Sequence, residues 1–77
     1  MEFKEMLNEL TGVLPTMAIQ LLPFVLSEKT QRRLCELGQE ASGRILSTVI
    51  EQINSGSVET LDTLTQKIIS LDYPDRD

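Results

Sequence analysis

SEKTQRRLCELGQEASGRILSTVIEQINSG, residues 27–56, is the longest helical pattern in the chain and decides its fold. Ser27 is a good N-cap, because its hydroxyl can accept from an otherwise unpaired N–H two or three residues on. Glu28 follows in the first turn, where the helix dipole favours negative charge. Leu34, Leu37, Ala41, Ile45, Leu46, Val49, Ile50 and Ile53 then recur at helical spacing. They cover a broad sector, more than half the circumference, while Glu36, Glu40, Ser47, Glu51 and Asn54 mark the polar side. The pattern predicts one helix over residues 28–54. Glu40 and Arg44 stand four apart in the favourable order, an arrangement worth about 0.2–0.5 kcal/mol. Gly38 and Gly43 each cost such a helix roughly 1 kcal/mol relative to alanine, so each needs a packing reason or marks a bend.

Downstream, Asn54-Ser55-Gly56-Ser57 is the clearest punctuation. Gly56 can cap the long helix and Ser57 can start the next. A connection this short sets neighbouring helices antiparallel. The last helix is expected over residues 58–71, with Val58, Leu61, Leu64, Thr65, Ile68 and Leu71 on its inner face. Pro74 closes it, and residues 73–77 read as a frayed tail.

Upstream, residues 13–26 are apolar on nearly all sides, which normally means burial. Pro15 suits a helix start and Pro23 should end or kink the helix, so a short helix is expected over 16–22. Phe24, Val25 and Leu26 would add a second apolar turn. Phe3, Met6, Leu7, Leu10 and Leu14 define a first helix over residues 2–11, with Gly12 as its cap. The expected fold is all-α. It is one domain over residues 1–77, a small bundle of three main helices plus a short apolar helical segment, with a C-terminal antiparallel helical hairpin. Helix one and the 16–26 segment would cross that hairpin near Gly38 and Ala41.

A chain of 77 residues is marginal for an independent core. Chains of this size usually rely on disulfides, a metal, very regular helix packing or a partner. Cys35 is the only cysteine, so no disulfide forms within one chain, and with no histidine the usual zinc set cannot be assembled. Aromatics are limited to Phe3, Phe24 and Tyr73, which leaves helix packing or association. The net charge of −5 argues against nucleic-acid binding and against a polybasic hold on an anionic membrane. The start of the chain has no secretory pattern, and the lone cysteine suits a reducing compartment, so a cytoplasmic location is expected.

Catalysis has few parts to draw on. Histidine is absent, Cys35 adjoins the apolar face, and the four glycines are isolated rather than gathered into a phosphate loop. Glu36 and Glu40 stand one turn apart but lack the histidines of a helical di-metal site. The expectation is a non-enzyme with no cofactor and no metal.

Three features carry more information. Gly38, Ala41 and Ser42 form a small-residue cluster, either a helix crossing within the chain or a seam for a second chain. The apolar surface exceeds what a few short helices need, so a second chain is expected to cover the rest. The run Leu21-Leu22-Pro23-Phe24-Val25-Leu26 is either a buried corner or a hydrophobic anchor. Taken together they suggest a small non-catalytic protein–protein interaction module, a self-associating adaptor, chaperone or regulator. Its partner would be itself, as a homodimer, or another helical protein, met by burial of apolar helix faces. The expected contact residues are Leu34, Gly38, Ala41, Ile45 and Val49, with Leu22 and Phe24 as anchors. The alternatives are a membrane-surface protein anchored through residues 16–26 and, further off, a DNA-mimicking inhibitor.

Overall fold

A computed structural model describes residues 2–74. The fold is all-α, and the described residues form five helices: α1 (Phe3–Asn8), α2 (Thr16–Val25), α3 (Glu28–Leu37), α4 (Gln39–Asn54) and α5 (Leu61–Asp72).

The helix expected over 28–54 is two helices. Ser27 caps α3 as anticipated, its Oγ accepting from the Thr30 N–H at 3.2 Å. The break comes at Gly38, which sits at φ +98° and ψ 171°. That region of backbone space is essentially closed to any residue with a Cβ. Gly38 ends α3 by donating its N–H to the Leu34 carbonyl, and its own carbonyl accepts the first bond of α4, from Ser42. The Ser42 hydroxyl reaches back across the break to the Leu34 carbonyl at 2.7 Å. Periodicity ran on through the break because both helices face one core, so their apolar residues keep a common phase in sequence. Of the two readings of Gly38, a packing reason or a bend, the structure shows the second, as a full break between helices.

Small residues behind that break let the N-terminal segment approach. Ala41, Ser42 and Gly43 are all buried in the first turns of α4. A Cβ on Gly43 would stand 3.1 Å from Cδ2 of Leu10. Of the cluster Gly38, Ala41 and Ser42, the last two are buried within the chain beside Gly43, on which Leu10 lies, while Gly38 is half-buried with nothing packed against its Cβ position.

The α4–α5 connection closes as a Schellman cap. Gly56, at φ +98°, donates to Ile53, and the next N–H, of Ser57, reaches the Gln52 carbonyl. The following helix begins three residues later than expected. Ser57 is spent on a local turn, accepting from the Glu59 N–H at 3.3 Å. Thr60 is the true N-cap, accepting from the Thr63 N–H at 3.1 Å. Val58 is consequently outside the helix and fully exposed. Leu71 is exposed as well, because α5 buries an arc running from Leu64 through Thr65 to Ile69 and Leu71 falls off its edge. Of the tail read at 73–77, Tyr73 is half-buried at the end of α5, and residues 75–77 lie outside the described residues.

Side-chain bonds give the helix directions. Arg44, at the start of α4, donates to the Tyr73 hydroxyl at the end of α5, so these two helices are antiparallel. Ser27 N–H to Asp62 Oδ1, Gln66 to the Thr30 hydroxyl, and Arg33 to the Tyr73 carbonyl run in step along α3 and α5, which are parallel. Burial alone would raise the Asp62 carboxyl. The Ser27 N–H and the Thr30 and Ser27 hydroxyls outweigh that and hold it below the ordinary carboxylate range. The core lies where all five helices meet: Phe3, Met6, Leu7, Leu10 and Leu14 from the N-terminal segment, Leu22 from α2 and Leu26 just after it, and Leu34, Leu46, Val49 and Leu64 from the rest.

α1 stops at Asn8 rather than residue 11, because the N–H groups of Leu10 and Thr11 turn to carbonyls three residues back. α2 runs on through Pro23 to Val25. Proline removes one N–H, but that lies near the helix end, and Leu26 still donates to Leu22. The Gln31 amide of α3 then donates to the carbonyls of both Pro23 and Leu26, at 3.0 and 2.9 Å. Those carbonyls would otherwise be left without an intrahelical partner.

Candidate interaction face

From Leu10 to Ser27 the chain has no charged side chain, the longest such run it contains. α2 occupies its middle. One side of α2 is core: Leu22 is buried, as is Leu26 at its C-cap, and Ala18 and Ile19 pack against the cluster. Its main neighbour is α1. The opposite side is open. Met17 is 71% exposed, Leu21 51%, Phe24 80% and Val25 43%. Their spacing of four, three and one places them on a single helix face. Val13, also exposed, precedes them. An apolar-all-round segment was expected to be buried; here only half of its circumference is.

The margins of the face are polar. A groove of about 340 Å³ between α1 and α2 is lined by Lys4, Asn8, Ile19, Gln20, Pro23 and Phe24. Gln20 stands between Met17 and Phe24 on the shoulder of the stripe. An apolar centre with a polar rim is the anatomy of a protein–protein contact surface.

The residues expected at a contact surface divide sharply. Leu22, Leu34, Ala41, Ile45 and Val49 are buried within the single chain. Gly38 is half-buried at the α3–α4 break. Phe24 alone stands fully open. The wide apolar sector of α4 is absorbed inside the fold: Ile45, Leu46 and Val49 are buried, and Ile50 and Ile53 are half-buried against the core. The structure adds Met17 and splits the 21–26 run, burying Leu22 and Leu26 while leaving Leu21, Phe24 and Val25 exposed. Their signal in the sequence was the charge-free run. The side of α2 that faces the core depends on how α1 docks, which that run does not encode.

Other candidate chemistry is dispersed. Glu36 and Glu40 sit on different helices, either side of Gly38. Cys35 is half-buried on α3. No helix among the described residues is long and apolar enough to cross a membrane. No family model, curated protein or solved structure matches the chain.

Proposed function

We propose that this chain is a non-catalytic protein–protein interaction module that docks through the outer face of α2. The observation that carries the reading is the stripe Met17, Leu21, Phe24 and Val25, open to solvent on a helix whose other side is firmly in the core. An isolated exposed leucine needs no explanation, but a contiguous apolar stripe without a charge does. Burying a side chain such as Phe24 or Leu21 yields roughly 1.5–3 kcal/mol, and several together can offset the loss of freedom on association. Phe24 and Met17 are residue types enriched at such contacts. The docked helix would act by the helix-in-groove mode.

The same stripe could meet a membrane surface. Interfacial helices flank their apolar face with lysine and arginine, and here none lies between Lys4 and Lys29. The net charge of −5 further opposes an anionic surface. A photoreactive phenylalanine analogue at position 24, activated in the cell, separates the readings. The expected product is one discrete protein adduct, absent when the analogue replaces the exposed Thr63 on α5. Adducts to lipid alone, or no adduct at position 24, would contradict the proposal.

A further inference from the structure

We infer that the occupant of this face is a second copy of the same chain, with α2 packed antiparallel on α2 and Met17 of each copy against Phe24 of the other. This rests on the reading of the α2 face as a protein-docking surface.

Charge is the first argument. Two copies each carrying −5 repel one another across most approaches. The 10–27 run is the longest stretch where they can touch without bringing carboxylates together. A partner chosen for complementary charge would need acidic groups at the rim of the stripe. On α2 itself the rim offers Gln20 and Thr16 instead, and the one charged side chain lining the adjoining groove is Lys4 of α1, with no acidic group beside it there. A glutamine amide carries both donor and acceptor, so it can be satisfied by its own symmetry mate. A glutamate or lysine there could not.

Shape is the second. Met17, Leu21, Phe24 and Val25 leave on the order of 400 Å² of largely apolar surface uncovered, within the range of the largest patch a soluble monomer carries. Two such faces together bury roughly 800 Å², and the exposed Thr16 and Gln20 of each copy bring the total towards the ~1,200 Å² at which stable interfaces begin. A two-fold axis passes one patch onto itself, so no second complementary surface is required. Leu21 lies near the middle of the stripe and would face its own copy. Phe24 lies seven positions after Met17, about two helical turns, so antiparallel packing puts the thioether of one against the aromatic ring of the other at both ends. Sulfur–aromatic contacts of that kind are favourable, and antiparallel helix dipoles are as well. Parallel packing would pair Met17 with Met17 and Phe24 with Phe24 and gain neither.

Sedimentation equilibrium of the full chain over a concentration series gives the first readout. A reversible dimer of the 8.7 kDa chain is expected. Leu21→Glu should weaken it at least roughly tenfold, because two carboxylates would meet unpaired across the axis. Leu21 is half-exposed in the single chain, so the helical circular dichroism of this variant should be kept. Disulfide trapping under mild oxidant gives the second, with the parent chain and its lone Cys35 as control. Leu21→Cys should link to itself. Met17→Cys and Phe24→Cys should link to each other in a mixture and scarcely to themselves. Self-linking of Met17→Cys, or a dimer that survives Leu21→Glu, overturns the antiparallel α2 pairing. A monomer at several hundred micromolar overturns self-association altogether. In that case a position-24 adduct to a different protein would keep the docking reading alive, and no protein adduct would end both.

Discussion

Replacing Gly38 by alanine is expected to lower the melting temperature by roughly 5–20 °C, from a backbone penalty of about 1–3 kcal/mol in a domain of this size. The penalty can be assigned to the backbone with little ambiguity. A Cβ built at Gly38 meets nothing within 4 Å, so no clash with a neighbour contributes. What alanine cannot adopt is φ +98° with ψ 171°. Its favoured alternative is to continue α3 into α4 as one helix. That would swing α4 off its neighbours and part the Ser42 hydroxyl from the Leu34 carbonyl. Gly43→Ala is the natural comparison. Gly43 has ordinary helical geometry, and an added methyl presses only on the flexible tip of Leu10. Gain in helix propensity and local crowding then nearly offset each other. Thermal unfolding followed by circular dichroism distinguishes the two. A Gly38→Ala melting temperature within about 2 °C of the parent would mean that the break at residue 38 is wrongly placed.

The second large effect contrasts two neighbours on α2. Leu22→Ala should destabilise the chain by about 2–4 kcal/mol, since it removes a fully buried side chain from a close-packed core. That is a large share of the roughly 4–11 kcal/mol expected for a domain of this length. Phe24→Ala, two residues on, should change stability by no more than about 0.5 kcal/mol, because Phe24 touches little of its own chain. It should instead remove most of the association, as loss of an exposed aromatic anchor does. Urea unfolding must be done at a dilution where the chain is monomeric, because binding to the folded form alone raises apparent stability. Equal destabilisation by the two substitutions would mean that α2 is rotated, with Phe24 inside.

Much of this architecture could be read from residue patterns, and the exceptions share a cause. The first helix face, Phe3, Met6 and Leu7, is visible because apolar spacing reports directly on burial. The glycine turn at residue 56 is visible because few residues accept a positive φ. The break at Gly38 is not, since glycine within a helical pattern can be tolerated, kinked or conformationally reversed, and only tertiary packing selects among these. The choice of Thr60 over Ser57 as a cap is a competition between two adequate hydroxyls, decided by where α5 must lie against α3. The contact surface was the least legible part. Leu34, Ala41, Ile45 and Val49 satisfy every pattern for an apolar contact, and the chain uses them on itself. Sequence periodicity finds apolar faces but not which of them are left over once a chain has folded. The leftover is set by the fold, which buries Leu22 of α2 and leaves Met17, Leu21 and Phe24 in the open.

Met17 offers the most direct test of the claim that this face is covered at work. It is 71% exposed in the single chain, while Met6 is 1% exposed and serves as an internal standard. Brief oxidative labelling, in the cell and on the dilute purified chain, reads the solvent access of both sulfurs by mass spectrometry. Met17 should oxidise readily in the dilute chain and fall close to the level of Met6 in the cell. Equal and high oxidation of Met17 in both settings would contradict a docked α2.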